Sequence, residues 1–217
     1  MSSFVTATGV GVAVNHDVLL APVSFELAAG EGLAVMGPNG SGKTTLLRVI
    51  AGLATASSGA VTVAGDRPDD RDPAFRGRVA SLLGLPPLAR NLTLREHLVL
   101  VAGSWGFTLV EAGARADALL DEFGISRLAS RFPHELSSGQ TQLFALALTL
   151  SRTFEVLLLD EPEQRLDSDR LGLVGGVLRG LVDRGTTMIM ASHNRKLVKQ
   201  VTDRTLTITE AVHVGRD

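Results

Sequence analysis

The stretch GPNGSGKTT, Gly37 to Thr45, constrains this chain more than any other. Gly37, Gly42, Lys43 and Thr44 fill the spacing G-x-x-x-x-G-K-[ST]. Glycines let the backbone curl with its N–H groups turned inward, a nest of donors for phosphate oxygens. Pro38, Asn39, Gly40 and Ser41 form the body of that curl, and Thr45 follows it. Lys43 adds a point charge for the β- and γ-phosphates, and the Thr44 hydroxyl is a natural Mg²⁺ ligand. The flanks decide between a phosphate loop and an ordinary turn. GLAVM (Gly32–Met36) reads as a buried strand, and TTLLRVIAGL (Thr44–Leu53) as an amphipathic helix. A strand entering and a helix leaving put a helix N-terminus against the phosphates.

Several function classes fall away on composition. The formal net charge of −2 argues against a bulk binder of nucleic acid or membrane surface. The chain has no cysteine, which excludes disulfides and thiolate metal sites. Its five histidines are scattered, without the clustering of a metal centre. The start, MSSFVTATGV, lacks the charged and apolar blocks of a signal peptide. LFALALTL (Leu143–Leu150), the longest apolar stretch, is too short to span a bilayer.

Along the chain, the first thirty residues alternate without helical period, with a strand over Val18–Leu27 and a turn at Ala28–Gly32. Gly59–Gly65 and Val79–Leu83 read as strands, separated by a charged, proline-broken loop over Asp66–Arg78. The middle turns helical: Thr93–Phe107, Leu109–Gly124 and Ser137–Arg152. From Val156 strand and helix alternate again, with strands at Val156–Asp160, Thr186–His193 and Arg204–Thr209 and helices at Ser168–Asp183 and Asn194–Val201. The expected fold is α/β, with a mostly parallel sheet, an N-terminal β layer and a helical insertion. Residues 1–85 and 152–217 would form the β layer and core, and 86–151 the helical subdomain.

Three further motifs each have a plain structural reading. VLLLDEP (Val156–Pro162) carries Asp160 and Glu161 out of a buried strand, at the carboxyl end where open α/β sheets bind ligands. Asp160 can hold Mg²⁺ and Glu161 can polarise an attacking water. A lone Asp-Glu pair entering a loop would need no such role. ELSSGQ (Glu135–Gln140) opens a helix, and Ser137 with Gln140 makes a capping box sufficient by itself. That helix end could also face a phosphate. ASHN (Ala191–Asn194) ends a strand with His193, either a surface histidine or one within reach of a γ-phosphate or its attacking water.

The order of these motifs, phosphate loop, LSSGQ, LLLDEP and SH, resembles the nucleotide-binding subunit of ABC transporters over nearly the whole chain. LSSGQ resembles the family signature, Arg165–Asp167 its D-loop and His193 its switch histidine. The resemblance implies a P-loop NTPase core and an ATPase using ATP and Mg²⁺. Two cassettes would pair head to tail, as a homodimer or heterodimer. ATP would then lie between one phosphate loop and the partner's Ser137, Ser138, Gly139 and Gln140. It further implies Glu161 as catalytic base, Asp160 with Thr44 at Mg²⁺, and Lys43 and His193 at the γ-phosphate. A transmembrane permease subunit would be the partner, with the cassette on the cytoplasmic face of the membrane and no nucleic acid involved. The segment Leu92–Phe107 is similar to small exporter-type ATPases, which points to export.

The chain departs from the family pattern at three places. Val14 falls where an adenine-stacking ring is usual; the chain has no tyrosine, and Phe4 and His16 are the alternative rings. Gly84 falls where a Mg²⁺- and water-binding glutamine is expected. Ser138 replaces a signature glycine and would crowd the γ-phosphate. These departures keep open a regulatory cassette of low turnover. A non-transport ABC ATPase is the remaining alternative, with no paired cassette, coiled coil or cysteine cluster in its favour.

Overall fold

The computed structural model describes residues 3–15 and 17–209. Strands β1 (Ser3–Val14), β2 (Asp17–Ala28) and β4 (Ser58–Val63) form an antiparallel sheet in the order β2-β1-β4. Strands β3 (Gly32–Met36), β5 (Val79–Leu82), β6 (Val156–Asp160), β7 (Thr187–Ala191) and β8 (Arg204–Thr207) form a parallel sheet in the order β5-β6-β7-β3-β8. This is the α/β architecture expected from the sequence, a parallel core with an N-terminal antiparallel layer.

The apolar runs of the parallel strands follow from burial on both faces. Because side chains alternate along a strand, each run serves two cores. Leu33, Val35, Leu158 and Ile189 pack with the antiparallel sheet and α1 (Lys43–Ile50). Ala34, Leu157, Leu159, Met188 and Met190 pack on the other side with α5 (Ser138–Leu150) and α6 (Ser168–Asp183). Leu46, Leu47 and Ile50 of α1 are fully buried in the first core. Each such side chain contributes about 1.5–3 kcal/mol on burial, so the helix that follows the phosphate loop is firmly anchored.

The helix starts are written locally. Thr93 with Glu96 forms a capping box for α3 (Leu94–Ser104), Thr108 with Glu111 for α4 (Leu109–Glu122), and Ser137 with Gln140 for α5. At the other end of α5, Arg115 from α4 donates to the carbonyls of Leu150, Ser151 and Arg152. The carbonyls of Leu150 and the cap residue Ser151 are among those a helix end leaves unpaired. Arg152 stacks 3.6 Å above the centre of the Trp105 ring. Burial there pulls its guanidinium down to about 10, with Arg76 adding a smaller push in the same direction.

Two expectations need correction. The stretch Asp66–Arg78 is not all loop, because it contains α2 (Pro73–Arg78). Asp72 caps it by accepting from the Ala74 N–H, and Pro73 occupies the first turn, where a missing N–H costs nothing. The proline thus starts a helix instead of breaking one. Helix α1 ends at Ile50, short of Leu53, because the chain turns at Ala51 and Gly52 (φ 75°). The last helix, α7 (Arg195–Val201), is capped by Asn194. No helix among the described residues is long and apolar enough to cross a membrane.

Candidate nucleotide site

The phosphate loop sits between β3 and α1, at the carboxyl end of the parallel sheet. Its glycines are required by close packing as well as by curvature. Gly42 has φ 99°, and a Cβ there would lie 2.5 Å from the Leu19 carbonyl oxygen of β2. At Gly37 (φ 154°) a Cβ would overlap the Ile208 carbonyl oxygen. Any side chain at either place would push the loop off its supports.

Lys43 is buried, and its Nζ donates to the carbonyls of Gly37 (2.9 Å) and Pro38 (2.8 Å). The ammonium is thus folded over the loop it belongs to. Ser41 Oγ is buried with no hydrogen-bond partner, a spare hydroxyl of the kind a phosphate oxygen satisfies. Thr44 Oγ1 donates to Asp160 Oδ2 at 2.6 Å, joining α1 to the end of β6. Burial raises the Asp160 carboxyl above its ordinary range and the Glu161 charge adds to this, while the Thr44 bond opposes them. Hydroxyl and carboxylate together are the oxygen donors a hard divalent cation takes, so these residues fit Mg²⁺.

Glu161 follows in a left-handed backbone conformation (φ 47°), an uncommon geometry for a non-glycine residue. Its N–H donates to the Ala191 carbonyl at the end of β7. His193 Nε2 lies 3.2 Å from Glu161 Oε1. The loop that brings His193 there is held by Glu163, whose Oε1 accepts from Ser192 Oγ (2.6 Å) and the backbone N–H groups of His193 (3.1 Å) and Asn194 (3.3 Å). Gln142 of α5 donates to the Pro162 carbonyl at 3.2 Å, pinning the same turn from the other side.

Two clefts share Thr44 and Glu161 in their lining. One, of about 730 Å³, runs along the phosphate loop past Asp17, Val18 and Leu19. The other, of about 460 Å³, is lined by Thr44, Gly84, Gln142, Asp160, Glu161 and Gln164, with others. Lys43, Thr44, Asp160, Glu161 and His193 are therefore brought together, as the sequence suggests. Ser137, Ser138, Gly139 and Gln140 line neither cleft. They form the start of α5, where Ser137 and Ser138 are exposed while Gly139 is buried, packed so closely on the turn after Glu161 that a Cβ would lie 2.8 Å from the Arg165 carbonyl.

Gly84 does line the second cleft, with φ 134° and open space where a Cβ would be. Phe4 is partly buried against the core between the sheets, and neither Phe4 nor Val14 lines either cleft. The aliphatic Val18 and Leu19 stand beside the phosphate loop instead. His16 lies outside the described residues. Ser138 is solvent-exposed at the head of α5 and crowds nothing within its own cleft. Sequence reasoning missed Glu163, whose partners come from the loop after β7, and Gln164, whose bond to Glu161 closes an irregular turn with no sequence signature.

This arrangement defines a nucleotide-hydrolysing P-loop protein. The ABC transporter family matches residues 20–164. The chain is 36% identical over 196 residues to the thiamine import ATP-binding protein ThiQ of Salmonella typhimurium, covering 87% of this chain and 81% of that one. It is 31% identical over 188 residues to the Nod factor export ATP-binding protein I of Paraburkholderia xenovorans, covering 87% of this chain and 62% of that one. Among solved structures, a dimeric post-hydrolysis state of the cassette MJ0796 bound to ADP and Pi superposes with a TM-score of 0.83 at 25% identity, covering 94% of each chain. The chain belongs to the ABC transporter family as an ATP-binding subunit, an ATPase coupled to transport.

Proposed function

We propose that this cassette hydrolyses ATP in a composite site shared with a second cassette and drives a separate transmembrane permease from the cytoplasmic face of the membrane. One observation carries the hydrolytic reading: Thr44, Asp160 and Glu161 line one cleft beside the phosphate loop, and His193 Nε2 reaches Glu161 Oε1 at 3.2 Å from the loop after β7. Gly37 to Thr45 bind the phosphates, and Lys43 swings from its carbonyl partners to the γ-phosphate. Thr44 and Asp160 hold Mg²⁺, which when bound neutralises phosphate charge and orients the γ-phosphate. Glu161 accepts the proton of the attacking water as general base, and His193 orients both from the next strand.

The remaining phosphate contacts come from the second copy. Ser137 to Gln140 lie at a helix start outside their own cleft, with Ser137 and Ser138 exposed, a position suited to a partner's nucleotide. Dimeric MJ0796 supports that pairing.

The direction we propose is export, on the likeness of Leu92–Phe107 to exporter-type ATPases and on the Nod factor export relative. The thiamine import relative supports the opposite direction, which the permease would then set. A regulatory, low-turnover cassette is a second reading, favoured by the absence of a side chain at Gly84 and, among the described residues, of a ring lining the cleft along the phosphate loop. The test is isolation of the tagged protein from detergent-solubilised membranes. The expected result is a stoichiometric polytopic membrane protein whose presence raises ATP turnover. Isolation as a free cassette, with turnover indifferent to membranes, would overturn the transport reading.

A further inference from the structure

The second cleft has an asymmetry. On one wall stands Gly84, which contributes no side chain, with open space before it. On another stands Gln164, which donates from Nε2 to Glu161 Oε2. Glu161 is thus gripped at both oxygens, by His193 on Oε1 and by Gln164 on Oε2. The other carboxamide in the cleft, Gln142, is buried and spends its Nε2 on the Pro162 carbonyl.

Gln164 is well placed for such work. Its own N–H donates to the Glu161 carbonyl at 3.0 Å, closing a tight turn with Glu161 at one end. Arg165, the next residue, is held left-handed (φ 64°). Glu163 and Gln142 pin the turn from two sides. The backbone that carries the amide is therefore fixed, and the amide reaches only a short distance to the carboxylate.

We propose that Gln164 is a positioning residue for hydrolysis, its side-chain amide aiming the Glu161 carboxylate into the cleft that Gly84 leaves open. It acts through Glu161, and the inference rests on the reading of Glu161 as the base. One amide hydrogen occupies Oε2, so the free rotation of the carboxylate is lost and its remaining lone pairs face the attacking water. Holding a reacting group in place is worth much to a rate and little to ground-state binding.

The test compares Gln164→Ala and Gln164→Glu in the intact protein, with steady-state ATPase kinetics, fluorescent ATP-analogue binding and thermal melting. Glutamate keeps the shape of glutamine but replaces the donor with a second carboxylate. The expected result is a fall in kcat of at least about tenfold in both, a loss of about 1.4 kcal/mol. The KM for ATP, analogue affinity and Tm should stay near those of the parent. Parent-like kcat in either variant would overturn the proposal. So would a fall in kcat accompanied by a matching loss of binding or Tm, which marks a structural role. Glu161→Gln separates the two readings. If it hydrolyses ATP at the parent rate, the reading of Glu161 fails and Gln164 falls with it. If it is inactive while Gln164→Glu turns over normally, the Gln164 proposal alone fails.

Discussion

Replacing Glu163 with alanine removes the acceptor that ties the turn after Glu161 to the loop carrying His193. Three donors lose it: Ser192 Oγ, His193 N–H and Asn194 N–H. Asn194 N–H keeps a second acceptor in Ser192 Oγ at 3.0 Å, and the exposed His193 can turn to water. The Ser192 hydroxyl is the costly one, because the residue has no solvent exposure. A buried donor left unpaired costs about 1–3 kcal/mol. Against this, Glu163 Oε2 is itself buried without a partner, so its removal returns part of that cost. The net loss is about 1–2 kcal/mol, a fall in Tm of about 2–8 °C for a chain of this size. Glu163→Gln keeps one oxygen for the three donors and should lose less than alanine in both stability and turnover. Thermal melting and steady-state ATPase assays on both variants check this. Alanine at position 163 with parent-like Tm and kcat would refute the clamp.

Base recognition should be loose: a stacking ring contributes about 0.5–1.5 kcal/mol, and among the described residues the cleft along the phosphate loop is lined by the aliphatic Val18 and Leu19 and by no ring. ATP and GTP should then compete for a fluorescent analogue with affinities within about tenfold, and a larger preference would refute the aliphatic reading. Acid should destabilise the fold, because backbone and arginine donors hold several carboxyls below their ordinary range: the Ala28 N–H and then Arg204 at Glu31, and Arg95 at Asp117. A depressed folded value gives stability that is full above the ordinary carboxylate range and is lost as pH falls through the lowered values. Tm should be flat near neutrality and fall in acid, and the deficit of Arg95→Ala should shrink as pH drops. A deficit independent of pH would show that the Arg95–Asp117 pair, 2.7 Å apart, does not act electrostatically.

Much of this was legible in the sequence, and the reasons differ by element. Residues 156–159 and 188–191 are buried on both faces, so they must be continuously apolar. The head of α5 could be read because Ser137 and Gln140 satisfy each other within one turn. Helix α2 was misread because Pro73 was weighed as a breaker, although Asp72 before it supplied a cap. The phosphate loop and the Asp160–Glu161 pair were legible because phosphate and metal chemistry fix their spacing. Glu163 and Gln164 were not: both act across a fold that joins residues about thirty positions apart or closes a single irregular turn.

The central claim is that Glu161 is the base of a site completed by a second cassette. Its most direct test is Glu161→Gln, followed by ATPase rate and solution mass with ATP and Mg²⁺. Glutamine keeps the shape of the side chain and cannot take the proton. Hydrolysis should stop while ATP still binds, and the protein should accumulate as an ATP-bound dimer. Undiminished hydrolysis, or a protein that stays monomeric with ATP bound, would contradict the account.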